Sequence, residues 1–344
     1  IRFFKKQKAT FVQPIHEYLE VYGEIGNMCG VLKHDSTRTL SEEYEKTERY
    51  GEFEAEWILT NNICPSLVRR FINPMLIFLR IFVLKLGFLD GKEGALFAYV
   101  SARYYFIKYL KAYNLTKSDK YLEGIIAKRF SKLADGFPES IDPEDSRLNA
   151  LLNAIGIFKN KRILEIGCGK GRFLDSVCKK GAIGVGIDVA DDLLKVAVRK
   201  NKGAYFKGTA TNLHFSDGYF DSAFSVEAIE HIPDLDKCIS EASRVLGMDG
   251  KFIIVDRNIL SINNRRCFVP NLIIKKYHEI KNDWMYPRGF PYTEKWFFKR
   301  EVEKVLSNYF ENVTSEYVIS DCEKKSPISF LFKKLPITRH FILW

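Results

Sequence analysis

A short glycine-rich stretch constrains the fold of this chain more than any other feature of the sequence. Residues 162–173 read RILEIGCGKGRF, an apolar run followed by three glycines at alternate positions, Gly167, Gly169 and Gly171. The run predicts a buried strand, and the glycines predict a tight turn that leads into a helix near Gly171. A turn without side chains lets a ligand lie against the backbone, and the free N–H groups at a helix start attract an anion.

From residue 161 onward, apolar strands alternate with helices. Candidate strands cover residues 161–167, 182–188, 204–209, 220–226 and 250–256, and candidate helices cover residues 170–180, 190–201 and 234–247. This alternation predicts an α/β fold with a mostly parallel sheet that is covered on both faces. Ligands bind such sheets at the carboxyl ends of the strands, where the strand order reverses.

The glycine spacing distinguishes this turn from two other nucleotide-binding loops. Glu165 lies two residues before Gly167, and the spacing fits neither GxGxxG nor GxxxxGK[ST], which weakens the dinucleotide and P-loop interpretations. Asp188 ends the second strand 21 residues after Gly167. A carboxylate there can accept both hydroxyls of a ribose; the alternative is that Asp188 caps the following helix.

Three motifs in a fixed order carry a resemblance to a known family. The glycine turn and Asp188 are followed by residues 208–234, GTATNLHFSDGYFDSAFSVEAIEHIPD. Residues of about 121–260 therefore resemble the class I S-adenosylmethionine methyltransferases, especially the branch shared with quinone and small-molecule methylases. The resemblance implies a Rossmann-like, doubly wound sheet of seven strands and S-adenosylmethionine as the cofactor.

The resemblance also implies a set of cofactor-binding residues. They are Glu165, Gly167, Cys168, Gly169, Gly171, Asp188, Val189, Thr209, Ala210, Leu213 and Glu227. The glycine turn would pass under the methionine part, and Asp188 would hold the ribose hydroxyls with Val189 beside the adenine. Thr209 stands where the family often has an Asp that recognises the adenine edge, although Thr209 can still accept a hydrogen bond. Leu213 would pack near the ring, and Glu227 would start the loop over the sulfonium.

His231, in the segment EAIEHIPD, is the candidate general base for a hydroxyl acceptor. It follows the fourth strand and is expected to face the cleft; the alternative is that Glu230 and His231 only hold the loop in place. Glu165 would orient the glycine turn and help hold the amino-acid end of the cofactor. Cys168 lies between glycines, but no histidine of the pattern lies beside it, so covalent catalysis is not expected.

The segment 258–297, after the fifth strand, is expected to define the methyl acceptor. It interleaves basic and aromatic residues, namely Arg265, Arg266, Lys275, Lys276 and Arg288 with Trp284, Tyr286, Phe290, Tyr292 and Trp296. This pattern suits a sugar phosphate, a lipid-linked saccharide or RNA, or else a lid whose rings form their own small core. A basic, aromatic tail over residues 323–344 either lies on an anionic membrane surface or docks on the protein itself.

Residues 1–118 show no clean strand–helix alternation and are predicted to be loops followed by helices, two of them over residues 41–59 and 91–115. The polar run TKSDK at residues 116–120 marks the boundary with a methyltransferase domain of residues 119–322. Helices are expected there over about 121–135 and, capped by Asp142, up to Gly156. Arg80 and Lys85 interrupt the apolar stretch 71–89, which suits a helix at a membrane interface, or one packed inside the protein, better than a spanning helix.

Residues 1 to about 115 also resemble the carboxyl-terminal part of family 2, GT-A glycosyltransferases of the lipopolysaccharide-core type. The stretches that carry this resemblance are FVQPIHEYLEVYGEIGNM, LKHDSTRTL, YEKTERYGEFEAE and FLRIFVLKLGFLDGKEG. It implies that Glu17, beside His16, lies near the acceptor and that His34 lies near the nucleotide diphosphate. The sugar-nucleotide-binding half is absent from the sequence, so we expect no glycosyltransferase activity from this chain alone. Either an upstream part is missing from this chain, which begins without Met, or the remnant serves as an interaction platform.

Composition bears on partners and location. A net charge of +10 favours acidic partners without choosing among them. The seven cysteines include no CxxC pair and no Cys/His cluster, which predicts reduced thiols and no metal site. Reduced thiols indicate a cytoplasmic protein, and a peripheral position at the inner face of the membrane is an option. No signal peptide is recognised.

The leading hypothesis is an S-adenosylmethionine-dependent methyltransferase, fused to a truncated glycosyltransferase, that O-methylates a sugar of a surface glycan or its lipid-linked precursor. A quinone-like or lipid substrate is the first alternative. A non-catalytic membrane adaptor is another. An RNA methyltransferase ranks last, because no RNA-binding module is present, and the oligomeric state is left open.

Overall fold

Residue contacts divide the chain into two units, Ile1–Ser118 with Gly289–Pro291 and Asp119–Arg288 with Tyr292–Trp344. The computed structural model describes residues 39–61, 63–200, 202–265 and 269–344, together with the backbone of residues 9–12 and 18–21. His16, Glu17, His34 and Arg266, which the sequence analysis singled out, lie outside the described residues.

The first unit is mainly helical. Its elements are the antiparallel strands β1 (Ala9–Val12) and β2 (Tyr18–Val21) and the helices α1 (Leu40–Thr60), α2 (Asn73–Leu79) and α3 (Gly91–Leu115). Thr39 caps α1, because its hydroxyl accepts the N–H of Glu42 at 3.2 Å. Helices α1 and α3 approach closely at Gly51, where an added Cβ would lie 2.8 Å from Ile107 Cγ2.

Helix α2 continues at both ends into π-helical turns, Val68–Ile72 and Arg80–Leu84. In the part of the chain that the structure describes, no single helix is both long and apolar enough to cross a bilayer. Val68–Leu84 and Gly87–Leu115 meet that criterion of length and composition only as a pair, and the pair is bent by 75° at its break.

The second unit is built on a seven-stranded sheet. Its strands are β3 (Arg162–Ile166), β4 (Ile183–Asp188), β5 (Ala204–Lys207), β6 (Phe220–Val226), β7 (Leu246–Arg257), β8 (Glu316–Val318) and β9 (Phe341–Leu343). The strand order is β5-β4-β3-β6-β7-β9-β8, and only β9 runs antiparallel to its neighbours. This architecture confirms the predicted Rossmann-like, mostly parallel sheet of seven strands.

Helices flank this sheet. They are α4 (Asp119–Lys132), α5 (Ser146–Ile155), α6 (Arg172–Lys179), α7 (Asp191–Lys200), α8 (Leu235–Val245), α9 (Asn271–Lys281), α10 (Lys299–Leu306), α11 (Asp321–Lys324) and α12 (Ser329–Lys334). Helix α5 ends before Gly156 as predicted, but its cap is Asp145 and not Asp142. The Asp145 side chain accepts the N–H groups of Arg147 and Leu148, and this stabilises the first turn.

The apolar strand sequences explain the two cores. In β3, Leu164 and Ile166 pack into the core on one face of the sheet, whereas Ile163 packs with Leu148 and Leu151 of α5 on the other face. Successive side chains of a strand point to opposite faces, so a continuous apolar run fills both cores. The chain leaves β3 toward β4 and β5 and returns to β6 on the other side of β3, which opens a crevice at their carboxyl ends.

The carboxyl-terminal residues form part of the sheet, which corrects the predicted separate tail of residues 323–344. Strand β9 pairs with β7 and β8, and the backbone N–H and C=O of Trp344 bond to Ile254 at 2.9 and 3.1 Å. Ile342 and Trp344 fill one core, and Phe341 and Leu343 fill the other. The aromatic side chains of β9 are therefore buried in the protein, as one of the two alternatives for the tail proposed.

Candidate active site

A cavity of about 740 Å³ opens at the carboxyl ends of β3, β4 and β6, entirely within the second unit. Apolar residues from α4, from the segment that follows it and from the loop after α9 form much of its wall. They include Ile126, Phe130, Leu133, Phe137, Trp284 and Met285. The sequence analysis placed a binding site at this edge of the sheet, and the cavity lies there.

The glycine turn forms the floor of the cavity. Gly167, Gly169 and Gly171 have φ values of +75°, +51° and +74°, in the left-handed region that favours glycine. A Cβ on Gly167 would lie 2.4 Å from the Cβ of Ala228, so a side chain has no room there. Gly167 and Gly169 line the cavity, whereas Gly171 lies behind them and turns the chain into α6.

Cys168 lines the cavity but is only 4% exposed. Burial raises the pKa of the Cys168 thiol well above its usual range, and the nearby Asp188 and Glu165 carboxylates add to this effect. The thiol therefore stays protonated at neutral pH, which argues against a nucleophilic role.

Asp188 holds the glycine turn and the start of α7 together. Its Oδ2 accepts the N–H of Gly169 at 2.8 Å, and its Oδ1 accepts the N–H of Ala190 at 2.8 Å. Burial raises the pKa of Asp188, and these backbone hydrogen bonds oppose the rise. An ionised carboxylate can accept about four hydrogen bonds, so the residue can cap the backbone and still accept a hydrogen bond from a ligand hydroxyl.

Glu165 lies beneath the turn and is 2% exposed. Its Oε2 accepts the N–H of Leu174 at 3.1 Å, which fixes the first turn of α6 relative to β3. Burial raises the pKa of Glu165 well above its usual range. The residue thus joins the end of β3 to the start of α6, on either side of the glycine turn.

Of the candidate cofactor-binding residues that follow β4 and β5, one is placed differently from the expectation. Val189, Thr209 and Ala210 line the cavity, but Leu213 does not; it is buried in the core, and its N–H donates to Glu241. The resemblance to the methyltransferase family had implied that Leu213 packs near the ring. The chain turns away after Thr211, so the Leu213 side chain points into the core.

The Thr209 hydroxyl both donates and accepts, because its oxygen accepts the N–H of Thr211 at 3.3 Å while its hydrogen goes to Glu123. Its Oγ1 lies 2.6 Å from Oε1 of Glu123, and Oγ1 of Thr211 lies 2.6 Å from the same oxygen. Glu123 is part of α4 and lines the cavity. The sequence analysis missed it, because it lies 86 residues before Thr209 and carries no motif of its own.

Glu227 begins the loop after β6 and is surrounded by arginines. It has a φ of +49°, which is uncommon for a residue with a side chain. Its carboxylate pairs with Arg257 at 3.1 Å, with Arg172 at 3.8 Å and with Arg147. Burial by itself would raise the pKa of Glu227, but the three arginines lower it. The sequence analysis did not identify these arginines, although Arg257 ends a strand whose carboxyl end faces the cavity.

His231 lies at the cavity wall between aromatic rings. Its Nδ1 lies 3.0 Å from the hydroxyl of Tyr286, and its ring meets the Phe130 ring edge to face at 4.9 Å. Its Nε2 lies 3.6 Å from Oε1 of Glu230. Burial is the main cause that lowers the pKa of His231 to about 4, so the imidazole is neutral at pH 7.

The pKa values of two carboxyl groups near His231, those of Glu230 and Glu294, are shifted in opposite directions. Burial raises the pKa of Glu230 well above its usual range, and Oε2 of this residue has no hydrogen-bond partner among the described residues. Burial would also raise the pKa of Glu294, but Arg257 above all lowers it to about 2. The indole N–H groups of Trp284 and Trp296 donate to Glu294 at 2.6 and 2.8 Å. At neutral pH Glu294 is therefore ionised, whereas burial favours the protonated form of Glu230 and Arg257, whose Nε lies 3.2 Å from Oε1 of Glu230, opposes this effect.

The segment 258–297 does not form the basic, aromatic surface that was one of its expected roles. Tyr286, Tyr292 and Trp296 are between 1% and 7% exposed, and Lys275 is buried in an ion pair with Glu279. The Tyr292 hydroxyl donates to the backbone carbonyls of the loop that carries His231. These rings form a small core because their polar atoms find partners inside the protein, which agrees with the alternative of a lid.

The residues of the cavity fit S-adenosylmethionine. The glycine turn leaves the backbone bare where the methionine part is expected, and the Asp188 carboxylate lines the cavity where the ribose is expected. Apolar Val189 and Ile126 line the same cavity and suit a purine ring. Among the described residues, no group of three or more His, Cys, Asp or Glu side chains is placed to hold a metal ion.

Sequence comparison identifies the central part of this unit. Residues 164–254 match the sequence model of a family described as a methyltransferase domain. The chain is 34% identical over 104 residues to the ubiquinone biosynthesis O-methyltransferase of Pelagibacter ubique, and the match covers 29% of this chain and 43% of that protein. The chain thus spans less than half the length of this relative.

Other similar proteins carry different names. The chain is 36% identical over 107 residues to the chloroplastic tocopherol O-methyltransferase of Arabidopsis thaliana, with 28% of this chain and 30% of that protein covered. It is 31% identical over 105 residues to the sterol 4-C-methyltransferase strm-1 of Caenorhabditis elegans, with 28% and 31% covered. A solved S-adenosylmethionine dependent methyltransferase from Mesorhizobium loti has a TM-score of 0.46 at 18% identity and covers 58% of this chain and 95% of that chain. These matches do not support the glycosyltransferase resemblance of residues 1–115.

Proposed function

We propose that the second unit of this chain is a class I S-adenosylmethionine-dependent methyltransferase domain and that it methylates a hydroxyl group on an aromatic, quinone-like small molecule. The observation that carries the proposal is the neutral His231 at the wall of an aromatic cavity. A ring hydroxyl that enters this cavity meets a proton acceptor and little water.

The chain's own residues would bind the cofactor on the β3–β4 side of the cavity. When bound, S-adenosylmethionine supplies a methyl group on a positively charged sulfur. Asp188 would accept the ribose hydroxyls, the turn at Gly167 and Gly169 would lie against the methionine part, and Glu165 would hold that turn in place. Positioning of this kind supplies a large part of the rate in a transfer between two bound groups.

His231 would act as the general base. In the tautomer with the proton on Nδ1, that nitrogen donates to the Tyr286 oxygen, and the lone pair on Nε2 is free to take the hydroxyl proton of the acceptor. A base with a pKa of about 4 is weak. It removes a proton more readily from a phenol, with a pKa of about 10 as in tyrosine, than from a less acidic saturated alcohol.

The walls of the cavity favour the same class of acceptor. Phe130, Phe137 and Trp284 offer apolar ring faces, whereas a sugar ring needs many hydrogen-bonding partners. The names of two relatives, for ubiquinone and tocopherol O-methylation, agree with an aromatic hydroxyl. The name of the sterol relative specifies methylation at a carbon atom, so the names of the relatives do not agree on the acceptor atom. The general base His231 favours an oxygen acceptor, because a hydroxyl group has a proton to remove. The glycan acceptor has no comparable support.

The test is methyl transfer from S-adenosylmethionine to a panel of hydroquinones, catechols and free sugars, with products identified by mass spectrometry. We expect methyl ethers of the aromatic probes only. His231→Gln is expected to lower kcat at least about 100-fold without changing the affinity for S-adenosylhomocysteine. His214→Gln, at an exposed histidine outside the cavity, is the matched control and is expected to behave like the wild type. Methylated sugars, or an unaffected His231→Gln variant, would contradict the proposal.

A further inference from the structure

The adenine end of the cavity contains a carboxylate that the methyltransferase motifs do not supply. Glu123 comes from α4, which lies before the segment that matches the methyltransferase family. It lines the cavity together with Ile126 from the next turn of the same helix and with Thr209 and Ala210 after β5. The side chain therefore reaches the position where the family often has an Asp and where this chain has Thr209.

Two hydroxyl groups fix the Glu123 carboxylate in place. Thr209 and Thr211 both donate to Oε1 at 2.6 Å, which is the length of a charge-assisted hydrogen bond, and their own oxygens lie 3.0 Å apart. Both donors bind the same oxygen, so Oε2 is available as an acceptor. A carboxylate presents acceptors only, so it selects a ligand that offers an N–H or O–H group.

The sheet places this carboxylate beside Asp188. Strand β5 pairs with β4 so that Lys207 lies opposite Asp188, and the N–H of Gly208 donates to the Asp188 carbonyl at 3.0 Å. Thr209 lies two residues beyond Lys207, after the strand that neighbours the one ending at Asp188. Asp188, Thr209 and Glu123 line the same cavity, so a base attached to a ribose at Asp188 would present its polar edge toward Glu123.

We infer that Glu123 accepts a hydrogen bond from the exocyclic amino group of the cofactor's purine ring and thereby selects adenine over a 6-oxopurine. The inference rests on the proposed use of S-adenosylmethionine. The roles are divided between two elements: Thr209 and Thr211 orient the carboxylate, and α4 supplies it. A 6-oxo group in the same place would put two acceptors against each other, which is unfavourable in a buried site.

Calorimetric titration with two ligands tests the inference without any turnover. The ligands are S-adenosylhomocysteine and its 6-oxo analogue S-inosylhomocysteine, and the proteins are the wild type, Glu123→Gln and the control Glu144→Gln, at an exposed carboxylate outside the cavity. We expect the wild type and the control to prefer the adenine ligand at least about tenfold. Glu123→Gln is expected to lose this preference, because its amide N–H₂ can donate to a 6-oxo group.

The outcomes separate this inference from the proposed function. If the wild type binds neither ligand, the proposed function fails. If the wild type binds both equally, or if Glu123→Gln weakens both equally, Glu123 only positions the loop and the inference is overturned. The wild-type preference is measurable even if the variant does not fold.

An independent feature of the first unit is an exposed apolar face between residues 67 and 89, here called the apolar ridge. Its members are Leu67, Val68, Phe71, Ile72, Met75, Leu76, Leu79, Val83, Leu84, Leu86, Phe88 and Leu89, each between 44% and 78% exposed. Many of them recur every three to four residues along Val68–Leu84, so they lie on one side of a helical segment. Twelve exposed large apolar side chains within one stretch of chain differ from an ordinary protein surface, where exposed apolar residues are scattered singly.

The charged residues within the apolar ridge all have one sign. Arg69, Arg70, Arg80 and Lys85 lie within it, and no acidic residue occurs between Glu56 and Asp90. Apolar side chains that insert among acyl chains, with basic side chains at the headgroup level, are typical of segments that lie on an anionic bilayer. We propose that the apolar ridge docks the first unit on the surface of an anionic lipid membrane.

Co-sedimentation with vesicles tests this proposal on the full chain. We expect binding to vesicles with phosphatidylglycerol and at least about fivefold less binding to pure phosphatidylcholine. Leu76→Glu and Leu84→Glu together are expected to abolish binding, whereas Ile157→Glu, at a 72% exposed apolar residue of the second unit, leaves it unchanged. Equal binding by all variants would overturn the proposal. A dimer in light scattering that dissociates only in the ridge variant would also overturn it and would assign the ridge to a second copy of the chain.

Discussion

Gly167 and Gly156 both have a left-handed backbone, but only Gly156 has space for a side chain. Gly156 has a φ of +80° and no heavy atom within 4 Å of an added Cβ, whereas a Cβ on Gly167 would meet Ala228 at 2.4 Å. Gly156→Ala is therefore expected to cost about 1–2 kcal/mol of unfolding free energy from backbone strain alone. Gly167→Ala is expected to cost more and to weaken S-adenosylhomocysteine binding at least about tenfold.

Urea unfolding and calorimetry measure these two effects. Gly156→Ala is the matched control, because it shares the backbone strain and lies outside the cavity. Equal effects of the two substitutions on ligand binding would show that the close approach of the glycine turn to Ala228 is unimportant.

His340 makes stability depend on pH. Its ring packs against Phe341 at 4.6 Å and Trp296 at 6.4 Å, and burial, with Arg257 as a further cause, lowers its pKa to about 4. An unfolded chain has the ordinary histidine pKa of about 6.5, so it binds protons first as the pH falls. The contribution of neutral His340 to the free energy of unfolding is therefore complete above about pH 6.5 and is lost as the pH falls from about 6.5 to 4.

The side chain introduced by His340→Gln binds no proton in this pH range. The difference in unfolding free energy between the wild type and this variant therefore reports the titration of His340 and not that of the carboxyl groups. From pH 7.5 to 5, the stability of the wild type relative to the variant is expected to fall by about 1–2 kcal/mol, after a discount for partial exposure. Urea unfolding at both pH values measures this difference. A difference that does not change with pH would mean that His340 titrates normally.

At the scale of elements, the five predicted central strands and the helices between them are present because their signals are local. Apolar runs, glycines and capping residues act over a few positions. The short strands β8 and β9 were not predicted, because three residues carry too little periodicity to be recognised. The pairing of β9 with β7 depends on contacts across about 90 residues of chain, and β8 joins the sheet only through β9.

Trp344 shows how much β9 contributes. It is 5% exposed, and its indole N–H donates to the Lys299 carbonyl at 2.9 Å. Trp344→Ala is expected to cost about 3–5 kcal/mol of unfolding free energy through lost apolar contacts. Phe330→Ala, at a 59% exposed ring in the same carboxyl-terminal region, is the control and is expected to change stability by less than about 0.5 kcal/mol. Urea unfolding measures both losses of unfolding free energy. If Trp344→Ala loses no more than Phe330→Ala, β9 is not part of the cooperative core.

At the scale of the whole molecule, each unit is described by its own contacts, and the second unit has two apolar cores around a complete sheet. A fragment of residues 119–344 is therefore expected to fold alone and to bind S-adenosylhomocysteine within about twofold of the full chain. A fragment of residues 164–254, the segment that matches the family, is expected not to fold, because it lacks α5, β8 and β9. Circular dichroism and calorimetry on both fragments measure these outcomes, and failure of the longer fragment to fold would contradict them.

The sequence by itself determined the strand–turn–helix at Gly167, the position of Asp188 at the end of β4 and the loop that carries His231, because these follow from local periodicity and local backbone preference. Only the tertiary structure decided which distant side chains meet at those positions. It brought Glu123 to Thr209, placed arginines around Glu227, and buried the carboxyl-terminal strand and the aromatic residues of the lid. Such contacts join residues far apart in the chain, and the burial that fixes them is a property of the packed molecule that no local pattern encodes.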